Sequence, residues 1–190
     1  MVASKGTSVP VERPDADTLY ERSAQTVVRR SATTGHFEVS ATIQDQCLTL
    51  GGFQRVHDMS LTLTVRQQDW LITRAEADMS AHPHGACPST ISDVQRIVGL
   101  RIAGGFNAEL RQRLGGTRSC NHLHTMAQNA AQTMALSHVS TLYEDDPVLP
   151  ESGYAPFYRR VLDIAPRVVN TCAVWATDGP VVGDLRSSAS

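Results

Sequence analysis

Met59, Leu61, Leu63 and Val65 alternate without a break with Ser60, Thr62 and Thr64. Successive side chains of a strand point to opposite faces, so this run demands a sheet with one buried face and one wet face. An all-helical bundle is excluded by that single stretch. The same period governs residues 36–43, where Phe37, Val39, Ala41 and Ile43 share a face. It returns in residues 70–79, with Leu71, Thr73, Ala75 and Ala77 on one side. Gly51-Gly52 and Gln67-Gln68-Asp69 mark the turns between these runs. Three consecutive strands with short turns predict an antiparallel meander.

Beyond Pro88 the period lengthens. Ser89, Thr90 and Ser92 offer N-cap oxygens, and Val94, Ile97, Val98 and Ile102 recur at helical spacing. Gly104-Gly105 breaks that helix, and residues 107–114 form a short second one closed by Gly115-Gly116. Residues 121–143 make the longest helix, with Leu123, Met126, Ala127, Ala130, Met134 and Val139 along one stripe; Pro147 and Pro150 end it. Residues 155–164 read as a short helix and residues 168–175 as a late strand. Strands first and helices afterwards predict an α+β domain: a three-stranded antiparallel meander packed against a helical layer as a two-layer sandwich. Residues 1–25 read as a flexible arm, 26–185 as a single domain and 186–190 as a flexible tail.

The 190 residues carry a formal charge of −2 and no basic stripe, which argues against nucleic acid and anionic membranes as partners. No apolar run is long enough to span a bilayer. The first twenty residues are polar, with Pro10 and Pro14, so no signal peptide is visible and a cytoplasmic protein with reduced cysteines is expected.

Ligand-type side chains then stand out. Cys120 follows a Gly-Gly turn and precedes the longest helix, where free backbone N–H groups and the helix dipole favour thiolate. His122 lies two residues on, and His124 one turn from Cys120. A Cys/His pair in one turn can share Zn²⁺ or act as nucleophile and base, although histidines at helix starts often simply cap or face solvent. His57-Asp58 opens the cleanest strand, so only one of the two faces any site there. Cys87 sits before Pro88, which holds it extended. Cys47 and Cys172 lie in apolar stretches and read as packing, as do Trp70, Trp175, Met126 and Met134. No Gly-rich phosphate loop is present.

His57-Asp58-Met59, Cys87, residues 99–106 and Leu114-Gly115-Gly116 followed by Cys120-Asn121-His122-Leu123 resemble a bacterial family, domain of unknown function 2889, from about residue 36 to Gly179. Its members usually show Gly-Cys-Thr-His-Leu where this chain has Ser119-Cys120-Asn121-His122-Leu123, and His124 is outside that pattern. A more distant similarity is to iron–sulfur scaffold proteins of the IscU, NifU and SufU type, in the order strand-Asp, strand-Cys, helix, long helix opening with Cys. That resemblance implies Asp58, Cys87 and Cys120 as ligands. Its remaining cysteine would fall near Arg55, which cannot coordinate; His57 or His122 can supply the fourth ligand.

The reading that follows is a metal-dependent enzyme, zinc by preference, with Asp58, Cys87, Cys120 and His122 as ligands and His57, His122 and Cys120 as catalytic groups. Lyase or hydrolase chemistry on a small organic acid, thioester or lactone is expected. Two alternatives stay open: a sulfur- or iron–sulfur-handling carrier with iron or a cluster, and a metal-free enzyme with Cys120 as nucleophile and His122 as base. The expected partner is a small-molecule substrate, and a homodimer is compatible with the chain.

Overall fold

The computed structural model describes residues 5–145, 154–170 and 172–187. The α+β class holds, and the sheet has six strands: β1 (Lys5–Thr7), β2 (Val9–Pro10), β3 (Tyr20–Arg30), β4 (His36–Thr49), β5 (Gly52–Arg66) and β6 (Ile72–His84). They run in the order β1-β6-β5-β4-β3, with β2 beside β5, and every pairing is antiparallel. The three expected strands are the centre of this sheet. Residues read as an arm supply β1, β2 and the first half of β3. β3 escapes a periodicity search because it is an edge strand, most of whose side chains are exposed, so no alternation is imposed on it.

The inward face is the one the alternation assigns. Phe37, Val39, Ala41 and Ile43 of β4 and Met59, Leu61, Leu63 and Val65 of β5 are all buried. β6 keeps the period but changes phase. Thr64 pairs with Arg74 and Val65 with Ile72, which leaves Thr73 as an extra, bulged residue. Before the bulge the buried residue is Ile72 rather than Leu71 or Thr73; from there on the expected phase holds, with Ala75 opposite Leu63 and Ala77 opposite Leu61, and Met79 and Ala81 extend the buried row. The turn before β6 is held by Asp69, which accepts two hydrogen bonds from Arg66 at 2.7 Å and pairs with Arg101 at 2.5 Å. It lets Trp70 adopt a positive φ of 58° with its side chain buried.

After β6 the chain forms a 3-10 helix, Cys87–Ile97, instead of an α-helix continuing to residue 102. Residues 99–102 instead run beside the start of β6, with hydrogen bonds between Ile72 and Gly99 and Leu100 and between Ile102 and Trp70. Gln95 adds a side-chain hydrogen bond to the Ala75 carbonyl. α1 (Phe106–Leu114) buries Phe106, Leu110 and Leu114. At its end Gly115 is needed for space: a Cβ there would lie 2.4 Å from the Arg111 carbonyl oxygen. α2 (Asn121–Asp145) follows, with Leu123, Met126, Ala127 and Ala130 buried near its start.

The chain divides into two compact units, residues 1–133 and 134–190, where a single domain was expected over residues 26–185. The second unit holds the end of α2, α3 (Tyr154–Ile164) and α4 (Pro180–Ser187), with Val161, Ala165, Val181, Val182 and Leu185 buried. Where a late strand was expected, Pro166–Val168 is a 3-10 turn and the described residues to Trp175 are bends and turns. Asn170 has a positive φ of 64° and accepts hydrogen bonds from Thr177, a local device that competes with strand pairing. Cys172 is exposed and Trp175 half-buried, so neither belongs to the core. Pro147 and Pro150 lie outside the described residues. The expected tail, 186–190, falls partly on α4 and partly outside them.

The phase of β5 is testable. Leu63→Ala should cost about 2–5 kcal/mol as a buried truncation, whereas Thr62→Ala on the wet face should stay within about 0.5 kcal/mol. Urea midpoints of the two variants check it; equal losses would mean that the register is shifted by one residue.

Candidate functional site

Extending the buried row of β4 by one step past Ile43 reaches Asp45, and extending that of β5 one step back from Met59 reaches His57. The structure puts both on the inward face. Asp45 is the only buried charged side chain among the described residues, at 0% exposure. It pairs directly with Arg22 on β3 and with His57 on β5, so three adjacent strands present Arg22, Asp45 and His57 in one row. A bulge fixes the end of this row: Gln46 pairs with Arg55, and Val56 becomes the extra residue.

α2 closes the row from above. The Cys120 carbonyl accepts the first helical hydrogen bond, from His124, which brings His122 into the opening turn. Its Nε2 lies 3.5 Å from Asp45 Oδ2, and its ring sits 4.2 Å, centroid to centroid, from that of His57. One ligand atom each from Asp45, His57 and His122 lies within 4.8 Å of the others.

The electrostatics centre on Asp45. Arg22 donates from Nε to Oδ1 at 2.6 Å and from Nη2 to Oδ2 at 2.7 Å, a bidentate pair. Burial pushes the Asp45 carboxyl up, but hydrogen bonds from Arg22 and Tyr20 and the charges of Arg22 and His57 outweigh it and hold it below its ordinary value. Arg22 Nη2 also lies 2.8 Å from His122 Nε2. A guanidinium only donates, so that nitrogen of His122 is the acceptor and the ring's proton sits on Nδ1. Nδ1 in turn faces Cys120 Sγ at 3.8 Å. Burial, then the His57 and Arg22 charges, lower the His122 pKa despite the opposing pull of Asp45, which favours this neutral form. His57 Nδ1 is 2.9 Å from Asp45 Oδ2 but out of hydrogen-bonding alignment, leaving a buried nitrogen with no hydrogen-bond partner.

The expected ligands divide. His57 and His122 meet, and Cys120 borders them through His122. Asp58, Cys87 and Cys120 do not close on one point among the described residues. Asp58 follows His57 and so points to the opposite face, where it pairs with Arg55 at 3.4 Å and helps line an open polar hollow with Gln44, Ser60 and Asp78. Cys87 follows the end of β6 and starts the 3-10 helix, with Pro88 at its first turn and the preceding Ala86 already in helical conformation. His124 Nε2 is buried without a partner and lies outside the cluster. Asp45 and Arg22 give no signal in the sequence, where Gln44-Asp45-Gln46 reads as a polar stretch and β3 has no visible period.

Residues 20–136 match the model of a protein family of unknown function, DUF2889. The chain belongs to this family. The matched span contains Arg22, Asp45 and His57 of this chain, together with Cys120 and His122. No curated protein and no solved structure matches the chain.

Two outcomes follow from the buried charge. Arg22→Ala leaves Asp45 uncompensated and should cost about 3 kcal/mol, while Asp45→Asn leaves a half-exposed Arg22 that water can solvate and should cost less. Denaturant unfolding of both variants checks the order. The carboxyl titrates below its unfolded value, so its stabilisation is complete above about pH 4 and disappears as pH falls through the native pKa. Acid unfolding of Asp45→Asn should lack that component; an unchanged profile would remove Asp45 as its source.

Proposed function

We propose that this chain is a metal-dependent enzyme whose ion is held by Asp45, His57 and His122. The observation that carries the reading is the approach of three ligand atoms from β4, β5 and α2 to within 4.8 Å of one another. Bonds of 2.0–2.2 Å in a tetrahedral site require neighbouring ligand atoms about 3.4 Å apart, and the separations of 2.9 and 3.5 Å from Asp45 Oδ2 bracket that value. Two imidazoles and one carboxylate suit Zn²⁺ in a catalytic site with an open position, and the same set suits Fe²⁺. Thiolates, by contrast, are absent from this set, which weakens the sulfur-carrier alternative.

A divalent ion on these ligands keeps a net positive charge after the single carboxylate is counted. It would polarise a carbonyl or bring the pKa of bound water to about 7. Lyase or hydrolase chemistry on a small organic acid, thioester or lactone fits that capacity. Arg22, the most exposed member of the cluster, has the planar fork that recognises a substrate carboxylate.

A second reading rests on the 3.8 Å approach of Cys120 Sγ to His122 Nδ1. Cys120 would then be a nucleophile and His122, backed by Asp45, its base. This needs the ring to give up the Nδ1 proton that its contact with Arg22 now imposes.

Zinc titration against a chromophoric chelator separates the two. One ion per chain is expected, and His57→Ala and His122→Ala should each weaken binding more than about 100-fold, the upper end for losing an outer-shell partner. Asp58→Asn and Cys87→Ser should bind as the parent does. No ion near unit stoichiometry, or loss of the ion in Cys120→Ser alone, would refute this ligand set. Turnover of small thioesters and lactones should require the ion; turnover that survives chelation but not Cys120→Ser would select the second reading.

A further inference from the structure

Arg22 occupies the atoms that the ion would need. Its Nη2 is 2.7 Å from Asp45 Oδ2 and 2.8 Å from His122 Nε2, two of the three ligand atoms, while Nε takes the other oxygen of Asp45. The third ligand residue, His57, has a buried Nδ1 without a hydrogen-bond partner. One positively charged group thus bridges two donors in the position of a cation, and the third, His57 Nδ1, lies 2.9 Å from the same Asp45 oxygen without a hydrogen bond. On the metal-site reading above, we infer that Arg22 is a built-in stand-in for the ion: the guanidinium and a divalent cation alternate on Asp45 and His122, and Arg22 sets the metal affinity of the site.

The exchange is physically open to Arg22 and to no other member of the cluster. Asp45 is fully buried, and His57 and His122 keep only 16% and 22% of their side-chain exposure, whereas Arg22 keeps 41%. It stands on β3, the edge strand, so the released side chain has solvent to move into. Asp45 never loses its countercharge in this exchange, because the cation arrives where the guanidinium leaves. Neither partner changes protonation: His122 is already the neutral ring with a lone pair on Nε2 that either occupant takes. The released fork lies beside the ion, where it meets an acidic substrate.

Competition of this kind weakens apparent affinity by the fraction of molecules in which the site is unblocked. The test is zinc affinity at neutral pH for the parent, Arg22→Gln and Arg22→Lys, with thermal unfolding in chelator and in zinc. Arg22→Lys keeps the charge, which protects the fold, but cannot span both oxygens of Asp45. Both variants should bind zinc about tenfold or more tightly than the parent. Arg22→Gln should melt below the parent in chelator and recover in zinc. If both variants bind zinc no more tightly than the parent, Arg22 is an ordinary supporting partner and the inference fails while the ligand set stands. If Arg22→Gln alone tightens, repulsion by the charge is the cause and occupancy is overturned. Absence of zinc binding in the parent and both variants would bring down the ligand set itself.

Discussion

A carboxylate with no exposed surface at the end of an apolar sheet face is the constraint around which the first unit is arranged. An isolated charge at such a depth is costly enough that it either neutralises or acquires partners. Asp45 acquires them by register. Arg22 and His57 are its direct neighbours on the two flanking strands, so the pairing that builds the sheet also delivers the compensation. His122 comes from the opening turn of α2, which ties the placement of a helix to the same charge. Replacing this row by leucine and valine would give an ordinary core. That it is polar, in a stretch where every preceding inward position is apolar, is the strongest sign that the position serves something other than stability.

Much of this was readable from residues alone. The alternation of β4 and β5 identified the buried face correctly, and one further step along each strand reaches Asp45 and His57. The step is hard to take because polarity is the usual sign that a strand has ended, and here polarity marks the site. His57 rather than Asp58 faces inward for the same reason: the period that buries Met59 and Leu61 decides it. Cys120 and His122 were legible as a helix opening, since a Gly-Gly turn followed by a long apolar stripe has few other meanings.

What stayed hidden is long-range. β3 carries no period because its side chains mostly face water, and only pairing with β4 makes it a strand. The ligand role expected of Asp58 and Cys87 came from the order of elements in distant scaffold proteins, and element order does not specify facing. A one-residue change in phase moves a side chain across the sheet. Three bulges, at Val56, Ser80 and Thr73, each introduce such a change.

The bulge at Val56 bears most directly on the site. From Thr49↔Gly52 to Gln46↔Arg55 the two strands pair in one register, and from Asp45↔His57 onward in another. Without the extra residue Asp45 would face Val56, and His57 would move to Gln44 on the wet side. The imidazole would then leave the carboxylate, and the hydrophobic row from Met59 to Val65 would lose its partners on β4. Core and site therefore impose the same requirement on one backbone irregularity. A bulge next to a polar row is a means of re-aiming a side chain, and here it lets a strand with an apolar period end on an imidazole directed at a buried acid.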